Sequence, residues 1–216
     1  MADFHRTYVN DRSFIRGAAR LLIAPIDSDK PASIGDVITL DDAPTTGMQY
    51  DAVDPWVDLG ATKTGCQITI NNAEEAFDVD QILGDISSAP TSWECSVGTQ
   101  LAEMTPERMQ VAWEGSDITT ETPTGAGALP EEEFGMGEPA AYTQRRLAVL
   151  FQRPTGLIRA YLFWIVQRQP QESSVTHAKT GEQISIPVRF RAIPDTSIAD
   201  VRKRFFVIRD QAVAAP

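Results

Sequence analysis

Cys66-Gln67-Ile68-Thr69-Ile70-Asn71-Asn72-Ala73-Glu74-Glu75-Ala76-Phe77-Asp78-Val79-Asp80 is the stretch on which the fold turns. Cys66, Ile68 and Ile70 alternate with Gln67 and Thr69, the period of two that gives a strand one buried face. Asn71-Asn72 reads as a turn, because Asn tolerates positive φ. The alternation then resumes, with Phe77 and Val79 on one face and Asp78 and Asp80 on the other. The expectation is a hairpin pairing residues 66–70 with 75–80. Its apolar face is Ile68, Ile70, Phe77 and Val79, and its polar face presents Gln67, Thr69, Asp78 and Asp80.

The same period recurs outward from this stretch. Trp93-Glu94-Cys95-Ser96-Val97-Gly98-Thr99 alternates with Trp93, Cys95 and Val97 inward. A single helix follows: Thr105 is an N-cap, Pro106 suits the first helical position, and Glu107 complements the dipole. Met109, Ala112 and Trp113 fall at i, i+3 and i+4, one apolar face expected to pack on a sheet, and Gly115 supplies the stop. Strands are also expected at Arg20–Ala24, halted by Pro25, at Arg146–Phe151 and at Leu157–Gln167. Two more follow at Gln183–Arg191, with Ile184, Ile186, Val188 and Phe190 on one side, and at Arg204–Arg209. The sum is a mainly β single domain over residues 1–216, a β-sandwich or barrel with one short flanking α-helix. An N-terminal arm (1–16), long loops at 26–60 and 116–141 and a C-terminal tail (211–216) complete it. Loops of such length in compact domains are functional or disordered.

Composition and motifs bound the function. The chain has 216 residues, 42% of them apolar and 23% charged, which is globular composition. No apolar run approaches the ~20 residues of a membrane helix, and the first residues lack the apolar segment of a signal peptide. Cys66 and Cys95 have no Cys-x-x-Cys spacing and are expected as reduced strand residues, in a protein folded in a cytosol. The two histidines, His5 and His177, fall short of a zinc site and stand beside no Gly-x-Ser-x-Gly elbow. Gly125-Ala-Gly127 and Gly135-Met-Gly137 lack the flanking strand, helix and Lys of a phosphate loop. Asp78-Val-Asp80 opens like a calcium loop but has Leu83 where the sixth position needs Gly. Neither a catalytic residue, a cofactor nor a metal is expected, and the chain is read as no enzyme.

Charge is distributed unevenly. The total is −11, and residues 64–107 hold no Lys or Arg against eight acids. Residues 108–143 hold one base and seven acids, whereas residues 144–216 hold 12 bases and five acids. An acidic body argues against adhesion to nucleic acid or anionic lipid. An acidic first two thirds with a basic last third either neutralises itself within the fold or meets copies of itself.

Three segments carry a resemblance. They are Asp58-Leu-Gly60-Ala-Thr-Lys-Thr-Gly65, Asp78-Val-Asp80-Gln81-Ile-Leu-Gly84-Asp-Ile, and Trp93-Glu94-Cys-Ser-Val-Gly-Thr-Gln-Leu101-Ala-Glu103-Met-Thr105-Pro-Glu107. Together this run of about 60 residues resembles the major tail tube protein of long-tailed bacteriophages, with an Asp-Gln before Gly and a strand running into a Leu-Ala-Glu-x-Thr-x-Glu helix. The resemblance implies a structural virion protein, assembled in the host cytoplasm and located in the tail. Its subunits would form rings, typically hexameric, stacked into a tube through which DNA passes without specific binding. Partners would be further copies of itself and the tape-measure, tail-tip and tail-terminator proteins, with no membrane. In such a ring Asp78, Asp80, Gln67 and Thr69 would face the lumen, where carboxylates repel phosphates. Glu74, Glu75 and Asp85, near the mouth of the hairpin, would be further lumen candidates, and Glu131, Glu132 and Glu133 in the 116–141 loop would contact the next ring. Two other readings are a monomeric β-sandwich binding module and a tube subunit of a contractile or secretion apparatus.

Overall fold

Leu21-Leu22-Ile23-Ala24 and Leu147-Ala148-Val149-Leu150 are apolar at consecutive positions, so strands built from them need cover on both faces. The computed structural model supplies it. The structure describes residues 19–40, 50–77, 87–103, 105–121, 129–137, 141–152, 157–169 and 185–211. Along the chain the strands are β1 (Ala19–Pro25), β2 (Ile38–Leu40), β3 (Tyr50–Ala52), β4 (Val57–Asp58), β5 (Thr62–Phe77), β6 (Ser87–Leu101), β7 (Thr119–Glu121) and β8 (Glu131–Glu133). They continue as β9 (Gln144–Gln152), β10 (Ile158–Arg168), β11 (Ile186–Ile193) and β12 (Phe206–Asp210), with one α-helix, α1 (Pro106–Trp113). The N-terminal arm 1–16 and tail residues 212–216 lie outside the described residues, as do His5 and His177.

Among the described residues the protein is mainly β, with one α-helix. Its principal sheet is antiparallel, in the order β4-β1-β9-β10-β11-β6-β5, and curls into a half-barrel. One edge of β10 serves two partners in succession. Arg159–Phe163 pair with β12, and Ile165–Arg168 pair with β11. Between them the register with β9 shifts, between Phe163 and Val166. Trp164 sits at this bulge, where its indole Nε1–H donates to the Lys203 carbonyl at 2.6 Å and ties down the turn before β12. A bulge bends its strand, and here it coincides with the divergence of β11 and β12.

Two apolar clusters flank the β1-β9-β10 layer. On one face Leu21, Leu147, Val149 and Phe163 meet Val97, Leu101, Val188 and Phe190 from the curl of the sheet. On the other, Leu22, Ala148, Leu150 and Leu162 meet Ile34, Val37, Ile38 and Trp56. The stretch expected as a loop at 26–60 therefore contains a lid, made of a 3₁₀ turn at Ile34–Asp36 and the β2–β3 pair, over the second cluster. The 116–141 stretch likewise contains a two-stranded ribbon, β7 with β8.

Helix α1 begins where its sequence signals put it, with Thr105 as N-cap and Pro106 in the first turn. Ala112 is fully buried in the main cluster, and Met109 and Trp113 are half-buried against it. The helix stops one residue earlier than the glycine signal, at Glu114, which takes the left-handed conformation (φ 56°, ψ 43°). That conformation costs a non-glycine residue about 1–2 kcal/mol. The buried Glu114 carboxylate offsets the cost by pairing with Arg145 at 2.6 Å and accepting the Thr143 N–H at 3.2 Å.

The hairpin expected between 66–70 and 75–80 is corrected. β5 runs unbroken through Asn71 and Asn72, which pair with Glu94 and Trp93 of β6. Cys66 pairs with Thr99 and Ile70 with Cys95, so the partner strand lies beyond residue 86. Asn-Asn turn preference is local and weak, and a 15-residue partner strand that satisfies the backbone of both residues overrides it.

Candidate functional site

The outer half of the β5–β6 hairpin is a part of the sheet that neither apolar cluster covers. Gly65 (φ +76°) stands where the β5 register shifts, between Thr62 and Cys66, a left-handed position that suits glycine. From there Cys66 and Ile68 of β5, and Cys95 and Val97 of β6, pack into the main cluster. Beyond Ile70 the cover ends. Residues 70–75 of β5 and 90–94 of β6 are exposed on both faces. The expectation that Trp93 points into a core is corrected: it lies on the same face as Cys95 but is 54% exposed. Alternation assigned its face correctly, but the hairpin extends beyond the core that would have covered it.

The polar face of the hairpin is continuous with that of β11. Gln67 lies opposite Gly98, which lies opposite Arg189; Thr69 lies opposite Ser96, which lies opposite Arg191. Gln67 is exposed and Thr69 half-buried, beside a shallow polar groove of about 390 Å³ over Gly65 and Gly98. Arg189 Nη2 donates to Ser96 Oγ at 3.2 Å, and Arg191 stands 3.9 Å from Glu94. Two arginines thus share a face expected to carry carboxylates. Their alternation with Ile186, Val188 and Phe190 marked them as outward. That β11 would sit beside β6 was a tertiary fact with no local signal. Glu74 and Glu75 are exposed on β5, whereas Asp78, Asp80 and Asp85 lie outside the described residues.

Glu131, Glu132 and Glu133 form β8, are exposed, and pair with Glu121, Thr120 and Thr119 of β7. The ribbon is anchored at its base. The Ser116 N–H donates to the Gly135 carbonyl at 2.7 Å, the Gly135 N–H donates to Ser116 Oγ at 2.8 Å, and Phe134 stacks on Trp113 with ring centroids 6.4 Å apart. The helix face Met109, Ala112 and Trp113 therefore meets the core and, through Trp113, also carries the ribbon.

Burial pushes the Cys66 thiol up to about 12 and the Cys95 thiol to about 11, so both stay protonated. Among the described residues no group of three or more His, Cys, Asp or Glu side chains converges on a metal position, and no helix is long and apolar enough to cross a membrane. No model of a known protein family matches this chain, and no curated protein matches it either.

Proposed function

We propose that the chain is a structural subunit of a phage-type tail tube, closing into rings that stack around a DNA-conducting lumen. The observation that carries this reading is the β5–β6 hairpin, whose 16- and 15-residue strands outrun their core and end the sheet on a β5 edge with no partner strand among the described residues. A two-stranded ribbon is marginal by itself in water, and a long unpaired edge is a template for another strand. Closing such edges around a ring removes them, as closure does in any barrel. The resemblance of residues 58–107 to the tail tube family supplies the identity of the ring.

On this reading Gln67 and Thr69 face the lumen together with Arg189 and Arg191. The wall is then mixed in charge along β11 and polar along β5, a surface over which DNA slides without the clustered cations that hold phosphates. The test is negative-stain imaging with sedimentation of the purified chain, and of assembly started by a tail-tip complex. Rings or tubes are expected. A 23.7 kDa monomer under both conditions would favour the binding-module reading.

A further inference from the structure

Exposed apolar side chains cluster where the outer half of the β5–β6 hairpin stands across from β12. Ile70 (50% exposed), Trp93 (54%) and Ile208 (52%) border an apolar groove of about 460 Å³, with Phe206, Arg202 and Lys203 also in its lining. Glu94 is the one carboxylate there, 3.9 Å from Arg191. A contiguous exposed apolar surface of this kind marks an interaction site. A second surface has the opposite charge. Leu129 (77% exposed) and Met136 (64%) flank β8, whose three glutamates are exposed beside the exposed Glu121 of β7.

We propose that the groove receives the Leu129–Met136 ribbon of a second copy of this chain. Leu129 and Met136 would cover Ile70, Trp93 and Ile208, while the β8 carboxylates meet Arg202 and Lys203. The match is of apolar surface to apolar surface and of anion to cation, the complementarity that selects partner and orientation. Groove and ribbon share no residue, so the contact is heterologous, and repeated head to tail it generates an open-ended stack. This rests on the ring reading for its place, between subunits of successive rings, and assigns the residues on both sides of that junction.

The contact is tested with full-length Trp93→Asp, which spoils the groove, and the double variant Leu129→Asp/Met136→Asp, which spoils the ribbon. All three side chains are exposed, so thermal melts should match the parent. Followed by sedimentation velocity and negative-stain imaging, each variant alone is expected to lose end-to-end growth, with association weakened about tenfold or more. An equimolar mixture is expected to recover a single junction and stop there, because one partner keeps its ribbon and the other its groove. Charge reversal at Glu131, Glu132 and Glu133 to Lys is expected to weaken growth, and Arg202→Glu/Lys203→Glu to restore it. Mixtures that form no junction, or variants that stack as the parent does, overturn the proposal. So does a result in which the groove variant fails but the ribbon variant stacks normally, since another segment or partner then fills the groove. Rings that persist in every sample while stacking ignores these substitutions overturn this contact alone. Absence of rings from the parent chain as well overturns the ring reading instead.

Discussion

Asp195, buried in the turn that follows β11, is held by partners from two distant parts of the chain. Burial alone would raise its pKa. The Lys30 ammonium at 2.6 Å, the Ser197 hydroxyl at 2.7 Å and the Ser197 N–H at 2.9 Å outweigh that and hold it at about 2. A carboxylate whose folded pKa lies below its ordinary 3.8 stabilises the fold above that value. The contribution is lost as pH falls from about 4 through about 2. Asp195→Asn is therefore expected to cost about 2 kcal/mol at pH 7, with the gap to the parent closing as pH approaches 2. Urea melts across that range check it, and a constant gap at every pH would assign the loss to packing instead. Beside it, buried Arg146 donates to the carbonyls of Ile26, Ser28 and Trp164 at 3.0–3.1 Å. None of this was legible in the sequence. Arg146, Asp195 and Lys30 carry no local pattern, and strand order alone brings them together. The same holds for the polar face of the hairpin, where alternation marked Gln67, Thr69, Arg189 and Arg191 as outward but gave no sign that β11 would bring the two arginines beside β6.

At the scale of elements, the helix was legible because its signals are local: Thr105, Pro106 and the 109/112/113 spacing need no partner strand. Its Trp113 is half-buried and also supports Phe134 of the ribbon. Trp113→Ala is thus expected to cost about 2–3 kcal/mol, below the ~3–5 of a fully buried aromatic. It is also expected to loosen the ribbon, seen as increased proteolysis near residues 129–137. Unchanged melting would place Trp113 outside the core. Strands with one covered face, such as β11, were read well from period two. β1, β9 and β10, covered on both faces, appear as unbroken apolar runs. Those runs announce strands and yet do not say that the 26–60 stretch folds back as their lid. The hairpin was misread for a related reason: Asn71-Asn72 is a turn signal in isolation and a ladder position beside a long partner. Turn preference decides only where no strand competes for the same backbone groups.

At the scale of the molecule, the uneven charge is partly resolved inside the fold. Arg145 meets Glu114, and Arg191 approaches Glu94, so the basic last third answers part of the acidic centre. The carboxylates of β7 and β8 and the apolar outer hairpin stay on the surface, where the proposed contacts with neighbouring copies would cover both. On the proposed reading the hairpin is completed by another subunit. Hydrogen exchange at the amides of residues 71–75 and 90–94, compared between dilute monomer and assembled protein, tests this most directly. Native-state opening of an exposed ribbon should make these amides exchange fast in the monomer. In the assembly they are expected to become among the slowest, as the outer hairpin gains a neighbour. Equal exchange in both states, with protection gained elsewhere on the molecule, would contradict it.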